Sequence, residues 1–261
     1  MTRYAAMFDR CAAASEGAFG AFLMLGDPDL ATSARLLDSL VEGGADMIEL
    51  GVPFSDPVAD GPVIQAAATR ALTAGVRTRH CLDLIAAFRA RHDTVPIGIL
   101  TYANIVAARG IDRFCDELAE AGADSLLVAD VPTLEAAPYA AASQAAGLDL
   151  VMIAAPNTPR ETLAKIAALS SGYTYCVARA GVTGAHAELS LDHRPLFAVL
   201  GDVGAPPPVL GFGISTPDQV REALASGAAG VISGSAIVSK VSEGPDAVRA
   251  FVVSMKAATR R

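Results

Sequence analysis

"LVEGGADMIELGV", residues 40–52, carries three structural instructions in a row. Its first residues end an amphipathic segment that begins near Asp29. The glycines stop that segment, and "MIELGV" is an apolar run of strand length. A helix end, a glycine suited to the left-handed C-cap and a strand form the junction inside a βα repeat. The phrase returns as "EAGAD" at 120–124 and "ASGAAG" at 225–230, again between a helical segment and an apolar run. Working outward from these junctions, eight short apolar runs emerge: 18–25, 46–52, 96–102, 125–130, 149–155, 173–179, 208–214 and 229–235. Several are apolar on both faces, as parallel strands covered by helices must be. Eight βα units in 261 residues predict an α/β fold, a (β/α)8 TIM barrel forming one domain over residues 1–261. Residues 1–17 are expected to form an N-terminal capping helix at the barrel's bottom, with extra helices after strands two and eight. An open doubly wound sheet is the competing architecture, but no G-x-G-x-x-G follows the first strand.

Composition narrows the function classes. Hydrophobic residues make up 52% of the chain and charged residues 18%, so a large core is available and disorder is excluded. The net charge is −8, and no Lys/Arg cluster supplies a footprint for nucleic acid. An anionic small molecule remains compatible, because backbone N–H groups and helix N-termini bind phosphate without net positive charge. Cysteines 11, 81, 115 and 176 are far apart with no C-x-x-C pair, which suggests reduced thiols and a cytoplasmic protein. The first residues lack a signal-peptide apolar region, and no apolar stretch is long enough to span a membrane.

Barrel active sites gather where strands end and loops begin. There, Glu49 sits in an apolar strand, and Asp56 and Asp60 lie in the loop that follows. No Lys or Arg occurs between Glu42 and Arg70 to pair with Glu49. A buried, unpaired carboxylate must protonate or find a partner, and a raised pKa suits general acid–base work. A structural carboxylate bonded to backbone N–H groups is the equal alternative. Asp60 precedes Gly61-Pro62, where a helix-capping role competes with a catalytic one. Asp56 before Pro57 reads as a turn former. Around strands six to eight, Gly184, Gly213, Gly234 and Ser235 fall where barrels often place a phosphate. His80, His92, His186 and His193 show no metal-ligand spacing, and no metal site is expected. Phe22, Tyr102, Tyr175 and Phe212 suit either plain core or the walls of a flat apolar pocket.

"ELGVPFSDPVADGP" (49–62), "YANIV" (102–106), "LLVADVP" (126–132), "GYTYCVARAGVTG" (172–184), "GFGISTPDQV" (211–220) and "GAAGVISGSAIV" (227–238) together resemble the tryptophan synthase α-subunit family, in order and across nearly the whole barrel. That resemblance implies a lyase that cleaves indole-3-glycerol phosphate to indole and glyceraldehyde 3-phosphate by a retro-aldol reaction. It implies Glu49 and Asp60 as the catalytic carboxylates. Phe22, Leu100, Leu127, Ala129, Ile153, Tyr175, Thr183 and Phe212 would contact the substrate, and Gly184, Gly213, Gly234 and Ser235 its phosphate. It also implies no cofactor in this chain and a β-subunit partner carrying pyridoxal phosphate, in an α2β2 assembly that takes up the indole. The loop after strand two and the loop around Arg179–His186 would be lids that meet the partner. Two positions depart from the family's usual residues: Met24 stands where Thr is common, and Ala178 where Ser is common. A stand-alone lyase and a purely regulatory subunit are the competing functions; intact Glu49 and Asp60 argue against the second.

Overall fold

The computed structural model describes residues 1–177 and 193–260. Nine strand segments are present: β1 (Ala18–Met24), β2 (Met47–Gly51), β3 (Ile97–Thr101), β4 (Ser125–Val128), β5 (Asp149–Leu150), β6 (Ile153–Ala154), β7 (Thr174–Val177), β8 (Pro208–Gly211) and β9 (Gly230–Ser233). They pair in the order β5-β4-β3-β2-β1-β9-β8-β7-β6, and every ladder is parallel. The two ends of that order are halves of one stretch, separated by Val151 and Met152 alone. Val151 donates its N–H to Leu126 O, and Met152 O accepts from Tyr175 N–H, so the fifth strand faces both neighbours and the barrel closes. The expected single strand 149–155 is thus broken in the middle, because its two halves serve different sides of the closure.

Helices cover the barrel as the alternation predicts, with one addition. Two follow β2 (Pro62–Thr73 and Thr78–Arg89) and two follow β9 (Ser235–Lys240 and Pro245–Ala257). A third pair, Ala103–Arg109 and Ile111–Ala121, follows β3, where no extra helix is expected from the sequence. Gly110 at φ 86° breaks them apart, a backbone angle that L side chains rarely adopt. The helix Pro217–Ala225 starts in a complete capping box: Thr216 accepts from Gln219 N–H, and the Gln219 side chain accepts from Thr216 N–H. The helix Arg3–Ala13 turns Tyr4, Met7 and Cys11 inward and plugs the N-terminal end of the barrel. There the Tyr4 hydroxyl lies 2.8 Å from Ser125 Oγ, and its ring centroid 5.3 Å from that of Tyr173.

The repeated "GAD" junction has a purpose beyond capping. Gly44 and Gly122 take φ of 92° and 94° and end their helices, and Gly227 in the third copy takes 108°. The aspartates that follow then stitch neighbouring strands together. Asp46 accepts Phe19 N–H at 2.8 Å, and its own N–H donates to Phe19 O. Asp124 repeats the arrangement with Ile97, accepting at 2.7 Å. Each carboxylate is paired as well: Asp46 with Lys256 at 2.7 Å and Arg10 at 3.2 Å, Asp124 with Arg89 at 2.6 Å and Arg3 at 2.8 Å. Two strand starts, the capping helix and the last helix are therefore joined through two side chains. Asp124→Ala would leave Arg89 without its carboxylate and Ile97 N–H without an acceptor. We expect it to lower stability by about 1–3 kcal/mol, the usual cost of leaving a desolvated donor without its partner, read as a fall in the urea midpoint at unchanged slope.

Candidate active site

In a parallel barrel, alternate residues of each strand face the interior. The pairing register sets Phe22 beside Glu49 and Glu49 beside Gly98. These positions point inward, so Glu49 projects from the middle of β2 into the barrel and is only 3% exposed. Small residues on the inner face give the bulky ones room. A Cβ on Gly51 would lie 2.7 Å from Phe22 Cζ, and one on Gly211 would overlap the Tyr175 ring.

Among the described residues, the hydrogen-bond partner of Glu49 is the Tyr173 hydroxyl, which donates to Oε1 at 3.2 Å from 124 positions away. Burial pushes the Glu49 carboxyl up to about 8; the Tyr173 bond opposes this, and the nearby Asp60 charge adds to it. The acid–base alternative is therefore the one the geometry favours, and Glu49 lies deeper than a strand-end residue would. Tyr173 itself is buried and its hydroxyl pushed up by burial and by Glu49, so it remains a neutral donor.

Asp60 is 7% exposed, and burial raises its pKa against the lowering effect of the Tyr102 hydroxyl, which donates to Oδ2 at 2.8 Å. It is not a helix cap. Gly61 occupies the N-cap of Pro62–Thr73, without any side-chain capping bond. Asp56 forms a turn, its carbonyl accepting from Val58 N–H, and it stays exposed.

Phe22, Glu49, Asp60, Leu100, Tyr175, Phe212, Gly213, Gly234 and Ser235 line one cavity at the C-terminal end of the barrel, as do Ile64 and Ile232. An adjoining cavity shares Asp60, Leu100, Tyr175 and Phe212 and adds Leu127, Ala129 and Ile153, with Ala59, Ala155 and Val177. Every described residue expected at the site lies on one of these two walls. Thr183 and Gly184 lie outside the described residues, as do Ala178 and Arg179. Five wall residues were missed. Ile232, Ala155 and Val177 each stand two positions from an expected residue, so strand periodicity alone could have found them. Ala59 and Ile64 flank Asp60, and nothing in their residue types marks them. Met24 is buried beside Gly51 and lines neither cavity.

The two ends of the site differ in character. Tyr175 and Phe212 meet edge-on with centroids 5.6 Å apart, forming one side of an apolar slot. Phe212 holds φ at 60° and Gly213 at 92°, so the chain turns sharply where β8 ends. At Gly234 an added Cβ would meet nothing closer than Phe22 Cβ at 3.7 Å, leaving open backbone beside Ser235. The arrangement is an apolar slot between two carboxylates, with an exposed-backbone cradle on its far side.

In sequence and fold the chain is similar to tryptophan synthase alpha chains. The family model described as tryptophan synthase alpha chain matches residues 8–261. The alpha chain of Aeromonas hydrophila is 50% identical over 268 residues, and that of Pectobacterium atrosepticum 51% over 267, each covering 100% of both chains. Among solved structures, Mycobacterium tuberculosis tryptophan synthase in space group F222 is 35% identical with a TM-score of 0.91, covering 100% of this chain and 99% of its own. Tryptophan synthase subunit alpha from Legionella pneumophila str. Paris is 31% identical with a TM-score of 0.90, covering 99% and 98%. With the model spanning nearly all of its length and identity near one half, this chain belongs to the tryptophan synthase alpha chain family.

Proposed function

We propose that Glu49 and Asp60 are the groups through which this chain carries out the α reaction of tryptophan biosynthesis, cleaving indole-3-glycerol phosphate to indole and glyceraldehyde 3-phosphate. One observation carries the reading: two buried carboxylates share an apolar cavity, each bonded to a different tyrosine. Cleaving the bond between indole C3 and the glycerol chain requires the ring to accept electrons. Glu49, neutral at the outset, donates its proton to C3 and generates a cationic indolenine-like ring. Asp60, ionised beside the ring N–H, stabilises the charge that develops there. Glu49, now a carboxylate, removes the proton of the adjacent glycerol hydroxyl. The carbon–carbon bond breaks, the aldehyde forms and its electron pair restores the aromatic ring. Phe22, Leu100, Leu127, Ala129, Ile153, Tyr175 and Phe212 hold the indole ring, while backbone at Gly213, Gly234 and Ser235 receives the phosphate. The chemistry needs proton transfer and charge stabilisation alone, so the chain requires no cofactor of its own.

The similar solved structures include a tryptophan synthase, and the relatives are named as its alpha chain, which supports a β-subunit partner. We assign the assembly as α2β2, with pyridoxal phosphate in the β subunit. Val58 (69% exposed) and Leu134 (86% exposed), in the segments after β2 and β4, offer apolar surface for docking. Among the described residues no helix is long and apolar enough to cross a membrane. Four free, buried thiols support a cytoplasmic setting.

Indole release from indole-3-glycerol phosphate, assayed with and without β subunit, tests the function, and activity that rises with partner is expected. Glu49→Gln should lower kcat by about 100- to 10,000-fold while substrate still binds; near-normal turnover would remove Glu49 from the chemistry. Asp60→Asn should lose about 100- to 1,000-fold, and an unaffected rate would leave Asp60 a structural role. Because the proton on Glu49 starts the reaction, kcat should fall as pH rises through about 8. The same shift sets the sign for stability. The folded state binds that proton more tightly than the unfolded chain, whose carboxyl titrates near 4.5, so ionising Glu49 destabilises the fold progressively between those values. Glu49→Gln should therefore raise Tm more at about pH 9 than at about pH 5.

A further inference from the structure

Asp60 rides on a loop, and the loop's own hydrogen bonds are local. Asp60 N–H donates to Pro57 O at 3.1 Å, Val58 N–H to Asp56 O at 2.9 Å, and the Gln65 side chain to Asp60 O at 2.7 Å. Such bonds give the loop its shape but not its place over the barrel. Among the described residues, a tie from the loop to the barrel comes from Tyr102, the residue just beyond β3, whose ring is buried and whose hydroxyl makes two bonds. It accepts Ala59 N–H at 3.3 Å and donates to Asp60 Oδ2 at 2.8 Å. Its ring also packs against Phe54, with centroids 5.3 Å apart. One side chain thus touches the loop at three points along its length.

We propose that Tyr102 is a positioning residue for the reaction: its hydroxyl ties the Asp60 carboxylate and the Ala59 backbone together at the cavity wall. The proposal rests on the role assigned to Asp60 above. Electrostatics give it a signature that packing lacks. Asp60 faces Glu49 from β2, Tyr175 from β7 and Tyr102 itself. Both phenols are pushed above their ordinary range first by burial, then at Tyr102 by the Asp60 charge and at Tyr175 by Glu49 followed by Asp60, so they stay neutral. Glu49 is neutral below about 8. Burial drives Asp60 toward its protonated form, and the Tyr102 hydroxyl is the donor that opposes it. Without that donor burial acts unopposed, and Asp60 needs a higher pH to ionise.

Tyr102→Phe keeps the ring against Phe54 and deletes both hydroxyl bonds. Three variants of the full chain are compared with β subunit present: Tyr102→Phe, Asp60→Asn and the double variant. Tyr102→Phe should lower kcat by about 10- to 100-fold, the scale of a lost hydrogen bond to a charged group, with little change in KM for indole-3-glycerol phosphate. The acid limb of its kcat profile should move to higher pH. Acting through Asp60, the substitution should add less than about twofold to the loss already caused by Asp60→Asn. Unchanged kcat, an unmoved acid limb or multiplicative losses in the double variant would each overturn the proposal. Full activity in Asp60→Asn alone would instead overturn the role of Asp60, so the two failures are distinct.

Discussion

The burial of Glu49 is the constraint on which the rest of the site depends. A carboxylate in the middle of a barrel strand is stripped of water, and one tyrosine hydroxyl cannot replace a full hydration shell. The group therefore keeps its proton near neutrality, and that retained proton is the one the proposed mechanism uses. The fold tolerates this at a cost in stability, and the compensation lies at the opposite end of the barrel. There Asp46 and Asp124 are held by paired cations and strand N–H groups. Asp46 and Asp124 at the N-terminal face are bonded on several sides, while among the described residues the Glu49 and Asp60 carboxylates each accept from tyrosine hydroxyls alone. The contrast separates scaffold from chemistry within one molecule.

Asp60 is arranged differently from Glu49 although both are buried. Glu49 belongs to a strand and inherits its position from the sheet register. Asp60 belongs to a loop and takes its position from side-chain contacts, chiefly with Tyr102. A proton donor that must reach a ring carbon benefits from a rigid origin. In the proposed mechanism the charge that faces the ring N–H is carried by a loop, which Tyr102 meets at three points. The apolar walls are shaped by omission as well as by bulk, since Gly51 and Gly211 leave the space that the Phe22 and Tyr175 rings fill.

Much of this was legible in order along the chain. The "GAD" junctions, the eight apolar runs and the capping signal at Thr216 define the βα repeat, because strand and helix periodicities and glycine conformations are local properties. The resemblance carried by "ELGVPFSDPVADGP" named both carboxylates. Where the reading fell short, the reason was non-local. The fifth strand is broken because its halves serve different neighbours at the closure, and the second helix after β3 turns on Gly110. The Asp of each "GAD" copy reads as a strand opener until its bonds to the adjacent strand are seen.

By itself, then, the sequence determined the alternating architecture, the family and the presence of carboxylates in apolar company, since each follows from residues near one another in the chain. It left open whether Glu49 was structural or reactive and whether Asp60 capped a helix. The tertiary structure shows that Gly61, not Asp60, occupies the helix N-cap, and it fixes the surroundings that keep Glu49 protonated. The partners that matter, Tyr173 for Glu49 and Tyr102 for Asp60, lie 124 and 42 positions away and meet the carboxylates only when the barrel closes. The charge state of a buried acid is set by the few atoms around it in space, and closing the sheet is what selects those atoms.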